Sequence, residues 1–314
     1  MTGDTVEPPV AVVSGGGRGI GRAVALALGA AGHPVCVNDT GVTVGGRDPD
    51  RGPAEATVED IRRRGGLAMV EVTDGRTSAG AEQIVAATAA WSGRAPTVLV
   101  HSAGTLRDAM VHKADDGDWS EVMGSHLAVA IELTRAMAGP IRSQRAGRIV
   151  YLGGAAGLVG SVGQAAYAVA KAGLFGLTRA VALEMAGRDV CVNYVAPFAF
   201  TRMTESIPPA TDQLREYLRT AGGATADNVA PLIAWLCSDA AAGITGQVFG
   251  ARGAEIGIWS QPRPIAQLVE AHGWDAAALT ATAPGALADH LTPLESEFDL
   301  FGGPPIAVAG RVRS

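Results

Sequence analysis

Tyr167 and Lys171 are the two side chains whose types and spacing allow proton-transfer chemistry. They stand four residues apart, so on a helix they share one face. A phenol with a pKa of about 10 is a poor base at neutral pH, and a nearby ammonium group lowers that pKa by favouring the phenolate. Taken alone, the two residues fit a tyrosine at the surface or in an interface better than an acid/base centre.

A glycine-rich turn lies near the start of the chain, between an apolar strand and a helical pattern. Glycine lets the backbone turn tightly and approach a diphosphate, and the N-terminus of the following helix offers free N–H groups and partial positive charge. This context predicts a dinucleotide site. The residues expected to hold the diphosphate are Gly15, Gly17, Arg18, Gly19, Ile20 and Gly21.

Asp39 ends the second apolar run, where a carboxylate can accept hydrogen bonds from both hydroxyls of an adenosine ribose. It would also repel a 2′-phosphate, so NAD is favoured over NADP. Two alternatives stay open. Asp39 could be a turn residue before Gly41, and Arg18 or Arg47 could reach a phosphate.

Short apolar runs alternate with helical patterns along most of the chain. Apolar strands flanked by helices are buried on both faces of a sheet. We therefore predict an α/β fold, a doubly wound parallel sheet (Rossmann fold) with a C-terminal extension. The predicted strands are Val10 to Val13, Val35 to Asn38, Leu67 to Val72, Thr97 to Val100, Arg148 to Leu152, Val190 to Val195 and Gln247 to Phe249. The main predicted helices are Ile20 to Ala31, Ala54 to Arg64, Ser78 to Trp91, Trp119 to Met137, Gln164 to Met185 and Val229 to Cys237.

The domain organisation expected from this pattern is one NAD-binding Rossmann domain over residues 1–260, with a substrate lid at 198–226. Residues 261–314 are rich in Pro, Ala and Gly and have weaker periodicity. We interpret them as an extension packed on the domain or on a partner subunit. A long loop from Thr40 to Pro53 follows the second strand, where most such units have a short one.

Composition excludes several classes of protein. The net charge of −6 argues against nucleic-acid binding, and the three cysteines, Cys36, Cys191 and Cys237, form no pattern for a disulfide framework or a metal site. The first residues lack an apolar signal core, and no stretch reads as apolar and long enough to span a bilayer. We expect a soluble, cytoplasmic protein that acts on a small molecule and binds no membrane.

Through these features, the sequence resembles the short-chain dehydrogenases/reductases over roughly Val10 to Ala254. The glycine turn matches the family's T-G-x-x-x-G-I-G, and Tyr167 with Lys171 matches its Y-x-x-x-K. A looser likeness is to the 3-hydroxyacyl-CoA dehydrogenase unit of multifunctional β-oxidation enzymes and its bacterial relatives. It is carried by Val37-Asn38-Asp39 with its long loop, Leu106-Arg107-Asp108, His126-Leu127, Arg202-Met203-Thr204 and Trp235-Leu236-Cys237.

The resemblance implies an oxidoreductase in which Tyr167 passes a proton while hydride moves to or from a nicotinamide, and in which Lys171 also binds the nicotinamide ribose. It places His126 where the family often has a water-holding asparagine; a helix-packing histidine is the alternative. The further cofactor contacts that it implies are Glu71, Val72, Ser102, Ala103, Gly104 and Pro197.

The sequence departs from the family where a serine usually donates a hydrogen bond to the substrate oxygen, 13 residues before the tyrosine, because that position is Gly154. Losing one such donor typically costs about 10²–10³ in rate. The substrate could supply its own hydrogen bond, another group such as Ser161 could replace the serine, or ordinary ketone reduction could be lost. His101 replaces an asparagine that stabilises the strand ends, and Phe198 replaces a glycine after Pro197.

On the substrate side, the resemblance places an apolar wall at Phe198, Phe200, Met203 and Ile207. It also implies a homodimer or homotetramer packed through the long helices Trp119 to Met137 and Gln164 to Met185. Three functions remain open. The first is an NAD-dependent oxidoreductase acting on a hydroxyl or ketone of a hydroxyacyl-type or secondary-metabolite substrate. The others are a non-redox dehydratase, isomerase, cyclase or epimerase, and a noncatalytic partner subunit.

Overall fold

A computed structural model of the chain describes residues 7–201, 215, 216, 219, 222–301, 303–306 and 308. Its centre is an eight-stranded sheet with the order β3-β2-β1-β4-β5-β6-β7-β8. The strands are β1 Ala11–Ser14, β2 Val35–Asn38, β3 Ala68–Glu71, β4 Val98–His101, β5 Ala146–Leu152, β6 Asp189–Phe198, β7 Val248–Arg252 and β8 Glu255–Ile258. The predicted doubly wound α/β fold is confirmed, with the strands parallel from β3 to β7.

Helices cover both faces of this sheet. The α-helices of the described residues are α1 Gly19–Ala30, α2 Gly52–Arg63, α3 Ser78–Ser92, α4 Asp116–Met123, α5 Val129–Gln144, α6 Ala156–Val159, α7 Ala165–Glu184, α8 Ala226–Leu236, α9 Ala276–Leu287 and α10 Glu297–Phe301. Buried side chains of α1, α2 and α8 share one apolar core with the sheet, and those of α3, α5 and α7 share the other. The strand order reverses between β1 and β4, and in such sheets the crevice at that point binds ligands.

Two features depart from the sequence prediction. The strand β8 was not predicted; it pairs antiparallel with β7 and makes the edge of the sheet. The helix predicted from Trp119 to Met137 is interrupted by a π-helical segment at Gly124–Ala128, which connects α4 to α5. Such bulges often mark functional sites because they change the direction of side chains within a helix.

The long loop between β2 and α2 folds back over the segment that follows β4. Leu106 donates its backbone N–H to the Val44 carbonyl at 2.9 Å, and the Arg107 guanidinium donates to the Gly45 carbonyl at 2.8 Å. This loop therefore forms part of one wall of the crevice.

The chain beyond β8 packs unevenly. Ala254 donates its N–H to the Ile306 carbonyl at 2.9 Å, which attaches the described end of the chain to the turn after β7. By contrast, α9 buries none of its residues, and Ile265, Val269 and Leu294 are largely exposed.

One helix of the described residues meets the criteria of length and hydropathy for a membrane span. Among the described residues, α7 is long and apolar enough to cross a bilayer. It carries Lys171 and buries Ala166, Ala170 and Leu174 against the rest of the fold. The core position of the helix accounts for its apolar composition, because a helix that packs on several sides needs few polar residues.

Candidate active site

One cleft at the carboxyl ends of the central strands brings most of the candidate residues together. The candidates that line it are Gly15, Arg18, Gly19, Ile20, Asp39, Ser102, Ala103, Gly104, His126, Tyr167, Lys171 and Pro197. Gly17, Gly21, Glu71, Val72, Gly154, Ser161 and Phe198 are not among the lining residues. Met203 lies outside the described residues, as does much of the predicted lid.

The glycine turn between β1 and α1 has no room for larger side chains. Gly15 has a φ of +73°, and a Cβ atom there would lie 2.5 Å from the Ala103 nitrogen. A Cβ atom on Gly21 would lie 2.1 Å from the Gly15 carbonyl oxygen. No side chain of a described residue caps the N-terminus of α1, so its first N–H groups are available at the cleft. This cradle fits a diphosphate.

Asp39 is held so that both carboxylate oxygens already accept one hydrogen bond. One oxygen accepts from the Gly17 N–H at 2.8 Å and the other from the Gly41 N–H at 2.7 Å. A carboxylate has about four acceptor sites, so both oxygens can accept again from hydroxyl groups. The Arg18 guanidinium donates to the Gly41 carbonyl at 3.0 Å and lies 3.5 Å from the Asp50 carboxylate, so the loop already holds this cation.

The end of β3 brings different residues to the cleft from those predicted. Thr73 and Asp74 line it, whereas Val72 is 37% exposed and Glu71 turns back to Thr73. Glu71 accepts from the Thr73 N–H at 2.8 Å and from the Thr73 hydroxyl at 2.6 Å. An adenine contact by Glu71 or Val72 stays a prediction. Thr73 and Asp74 are better placed for such a contact, because they line the cleft.

Tyr167 and Lys171 lie on the first turns of α7 and face the cleft together. The Lys171 ammonium nitrogen is 5.3 Å from the centre of the Tyr167 ring and donates to the Leu152 carbonyl at 2.6 Å. Lys171 is only 4% exposed, and burial lowers the pKa of its ammonium group to about 7. The four-residue spacing on the helix thus brings the phenol and the amine together, as the sequence predicted.

His126 projects from the π-helical segment into the same site, and its ring meets the Tyr167 ring edge-on at 5.2 Å. Its Nε2 atom lies 2.8 Å from the Thr105 carbonyl, so Nε2 carries the hydrogen. The Nδ1 atom is buried and has no hydrogen-bond partner among the described residues. Burial, reinforced by the charge of Lys171, holds the pKa of this imidazole well below its usual value. His126 is therefore neutral and offers Nδ1 as an acceptor.

The position of the His126 ring requires a residue without a side chain at Gly104. A Cβ atom on Gly104 would lie 1.8 Å from the Cε1 atom of the His126 ring. The resemblance had assigned Gly104 to a close backbone contact near adenine. The structure gives the residue another task, which is to leave space for the imidazole.

His101 takes over the positioning role expected of the asparagine that it replaces. Its Nε2 atom lies 2.7 Å from the His126 carbonyl, and its Nδ1 atom lies 3.4 Å from the Ser14 hydroxyl. Burial lowers the pKa of this ring to about 3, so it is neutral. It joins the end of β4 to the end of β1 and to the π-helical segment.

Gly154 lies beside the phenol although it does not line the cleft. A Cβ atom there would lie 3.1 Å from the Tyr167 hydroxyl oxygen, so a serine at this position would have its side chain next to that oxygen. Ser161 lies six residues before Tyr167 and is half-buried, but it is not part of the cleft wall. No contact among the described residues supports Ser161 as a replacement for the missing serine hydroxyl.

Tyr194 is a residue of this region that sequence reasoning missed. Its hydroxyl donates to the Gly154 carbonyl at 2.8 Å and accepts from the Gly154 N–H at 2.9 Å. A Cβ atom on Gly153 would lie 1.8 Å from the Tyr194 ring. The two glycines that follow β5 and the large residue of β6 thus belong together, a pairing that depends on strand register.

The fold and the site together define a dinucleotide-binding α/β protein with a phenol–amine pair in its cleft. Residues 15–253 match a family model described as enoyl-(acyl carrier protein) reductase. The chain is 36% identical to the peroxisomal multifunctional enzyme type 2 of Mus musculus over 230 residues, which is 73% of this chain and 30% of that enzyme. It therefore spans less than a third of that multifunctional relative.

Two further relatives match over nearly their whole length. A 3-oxoacyl-[acyl-carrier-protein] reductase of Synechocystis sp. is 36% identical over 255 residues, covering 81% of this chain and 98% of the relative. A crystal structure of a short chain dehydrogenase from Mycobacterium avium has a TM-score of 0.77 and 32% identity, and covers 96% of this chain and 98% of its own. The chain belongs to the short-chain dehydrogenase/reductase family.

Proposed function

We propose that the chain is an NAD(H)-dependent oxidoreductase that interconverts a hydroxyl and a ketone on a hydroxyacyl-type or secondary-metabolite substrate. The observation that carries the proposal is the meeting of the glycine cradle, Asp39 and the Tyr167–Lys171 pair in one cleft. The close packing at Gly15 and Gly21, where no Cβ atom fits, supports the binding of a dinucleotide.

In the proposed mechanism, the nicotinamide supplies or accepts the hydride, and the residues of the chain handle the proton. The Tyr167 hydroxyl donates a proton to the developing alkoxide in reduction and removes it in oxidation. Lys171, when protonated, favours the phenolate form of Tyr167. The neutral His126 ring can accept a hydrogen bond at Nδ1 from a water molecule, which connects the site to a proton relay.

The choice of NAD over NADP rests on Asp39 and Arg18. A ribose diol can donate to both Asp39 oxygens, whereas a 2′-phosphate would meet a carboxylate. Arg18 could offset that repulsion, but it is already engaged by the Gly41 carbonyl and by Asp50. The geometry therefore supports NAD.

Gly154 shapes the substrate preference in this proposal. The space beside the Tyr167 hydroxyl lacks the serine hydroxyl of the family pattern, and Tyr194 already holds the Gly154 backbone. A substrate with its own hydroxyl or second carbonyl next to the reacting carbon would supply the missing hydrogen bond. The 3-oxoacyl and multifunctional relatives support a hydroxyacyl-type substrate.

Gly154 also favours a second candidate, a non-redox enzyme on the same fold, such as a dehydratase, isomerase, cyclase or epimerase. These reactions need the acid/base function of Tyr167, and they do not need a donor dedicated to a reducible ketone. A noncatalytic partner subunit is the third possibility, and it requires only the fold.

For assembly and location, we propose a cytoplasmic homodimer or homotetramer in which the exposed residues of the extension after residue 260 pack on a partner subunit. The exposed apolar residues Ile265, Val269, Leu291 and Leu294 support this proposal, because an isolated chain would leave them in water.

The test combines NADH binding, followed by nicotinamide fluorescence, with turnover of 3-oxoacyl N-acetylcysteamine thioesters, followed by NADH absorbance. We expect binding in the wild type, turnover in the wild type, and a loss of turnover without loss of binding in Tyr167→Phe. Tyr151→Phe is the matched control, because Tyr151 is buried outside the cleft and bonds Thr134 at 2.7 Å.

Product formation without a change in NADH absorbance, still dependent on Tyr167, would support the non-redox candidate. Failure to bind NADH at millimolar concentration would overturn the proposal and leave the partner-subunit interpretation.

A further inference from the structure

A second cavity of about 350 Å³ lies next to the candidate active site, at the carboxyl ends of β6 and β7. Ala155, which follows Gly154 in the chain, lines it together with Ala196 and Phe198 of β6 and with residues of β7, β8 and Trp259. Leu300 and Phe301 of α10 close it, so the C-terminal part of the chain contributes to this space. Most of these side chains are apolar, and an apolar cavity of this kind suits the body of a hydrophobic ligand.

Arg252 brings a buried cation into this apolar wall. It is 6% exposed, its Nη2 atom donates to the Gly303 carbonyl at 2.6 Å, and its guanidinium stacks 4.2 Å from the centre of the Phe301 ring. Its buried Nε atom makes no hydrogen bond with a described residue, although the Glu255 carboxylate lies 3.2 Å away. A guanidinium has five N–H donors in a fixed fork, and these contacts use only part of that capacity.

Glu255 determines which kind of ligand can use the remaining donors. Its carboxylate pairs with Arg252 and also accepts the Ile306 N–H at 3.0 Å. The pair is close to neutral, so a second carboxylate entering the cavity would be repelled by Glu255 and would lose its hydration. A neutral oxygen, as in a ketone or an amide, would satisfy the donors without adding charge to an apolar space.

We propose that this cavity is the distal substrate subsite and that Arg252 recognises a neutral carbonyl oxygen at the far end of an extended apolar substrate. The inference rests on the proposed function, since it assigns the reacting end of that substrate to the cleft beside Tyr167. Phe198 of β6 is the register partner of Arg252 in β7, and β5 lies one strand further on. Neighbouring strands are about 4.8 Å apart, so the two ends of the substrate are separated by about 10 Å.

Arg252 could instead serve only to attach the C-terminal segment to β7 through Gly303 and Phe301. That structural role would leave the choice of substrate unaffected. The two interpretations therefore differ in how selectivity changes, and not in whether the loss of Arg252 lowers stability.

The test uses three 3-oxoacyl N-acetylcysteamine thioesters with ten-carbon acyl chains that end in a methyl group, a primary amide or a carboxylate. We measure kcat/KM with NADH, together with that of the short 3-oxobutanoyl thioester. The wild type is expected to prefer the amide over the methyl probe by roughly tenfold or more, the value of a hydrogen bond to a charged group. It is also expected to disfavour the carboxylate.

Arg252→Met should abolish the amide preference, and the short probe serves as the reference for turnover at the reacting end. Arg252→Lys keeps a cation near Phe301 and is the control for a variant that simply fails to fold. It should keep part of the preference for the amide probe. Glu255→Gln should raise the kcat/KM of the carboxylate probe relative to the amide. Equal kcat/KM for the amide and methyl probes in the wild type, or a preference that survives in Arg252→Met, would overturn the proposal.

A binding measurement separates this proposal from the proposed function. Calorimetric titration with the amide and methyl probes that lack the 3-oxo group needs no turnover. Tighter binding of the amide that is lost in Arg252→Met supports the subsite even if NADH is never oxidised. Turnover with no difference in binding between these probes would refute the subsite and leave the proposed function standing.

Discussion

Replacing Lys171 by methionine tests the state of the amine at the centre of the site. In the folded chain, burial lowers the pKa of this ammonium to about 7 from its ordinary value of 10.5. Below pH 7 the lysine is charged in both the folded and the unfolded chain, so the folded chain bears the full cost of burying the charge. As the pH rises from 7 to 10.5, the folded chain releases the proton first, and the free energy of unfolding increases.

The size of the effect follows from the two pKa values. Each pKa unit corresponds to about 1.4 kcal/mol, and partial titration near pH 7 reduces the first step. Between pH 7 and pH 9 the wild type should gain about 2 kcal/mol of stability relative to Lys171→Met. The Leu152 carbonyl loses its donor in the variant, at a cost of about 1–3 kcal/mol that does not depend on pH.

Urea unfolding at a fixed protein concentration, in steps from pH 7 to pH 9, measures this difference. Lys113→Met is the matched control, because it removes the other lysine of the chain from an exposed position, and it should follow the wild-type curve. The two lysines also permit a direct check by ¹³Cε-lysine NMR, in which the signal missing from Lys171→Met should titrate near pH 7. A constant gap in stability over this range, or titration of that signal above pH 9.5, would refute the reasoning.

Three further predictions concern the rest of the site. Asp39→Asn should lower the preference for NADH over NADPH in calorimetric Kd values by about tenfold, the factor that 1.4 kcal/mol of lost repulsion gives; an unchanged ratio would remove Asp39 from cofactor selection. Gly154→Ser should raise the turnover of simple ketones by roughly tenfold to hundredfold, since it would add a donor next to the Tyr167 oxygen; equal rates in Gly154→Ser and Gly154→Ala would show that a donor is not what limits the reaction. Gly104→Ala should lower the free energy of unfolding by about 1–3 kcal/mol, because the added methyl overlaps the His126 ring; His126→Ala in the same chain should restore part of it, and additive effects would contradict this contact.

Local patterns were sufficient to predict much of the fold. The second strand, Val35–Asn38, has the bounds read from its apolar run, and the positions of the glycine turn and of Tyr167 with Lys171 followed from motif spacing. These features depend on neighbours in the sequence, where periodicity and turn chemistry act directly. β8 was missed because its four residues, three of them mostly exposed, carry almost no pattern.

The contacts that the sequence could not predict join residues far apart in the chain. Tyr194 lies against Gly153 and Gly154 because β5 and β6 are in one particular register, and register is a property of the assembled sheet. Gly104 leaves space for His126 only because the π-helical segment turns that imidazole towards the end of β4. In both cases a glycine and a large ring are matched in space, and neither residue alone gives a signal.

The most direct test of the central claim is a crystal structure of the chain with NAD⁺. We predict the diphosphate on the first N–H groups of α1, the adenosine ribose on Asp39, and the nicotinamide beside Tyr167 and Lys171. A dinucleotide bound elsewhere, or a nicotinamide that lies away from the Tyr167 hydroxyl, would contradict the assignment of this cleft to hydride-transfer chemistry.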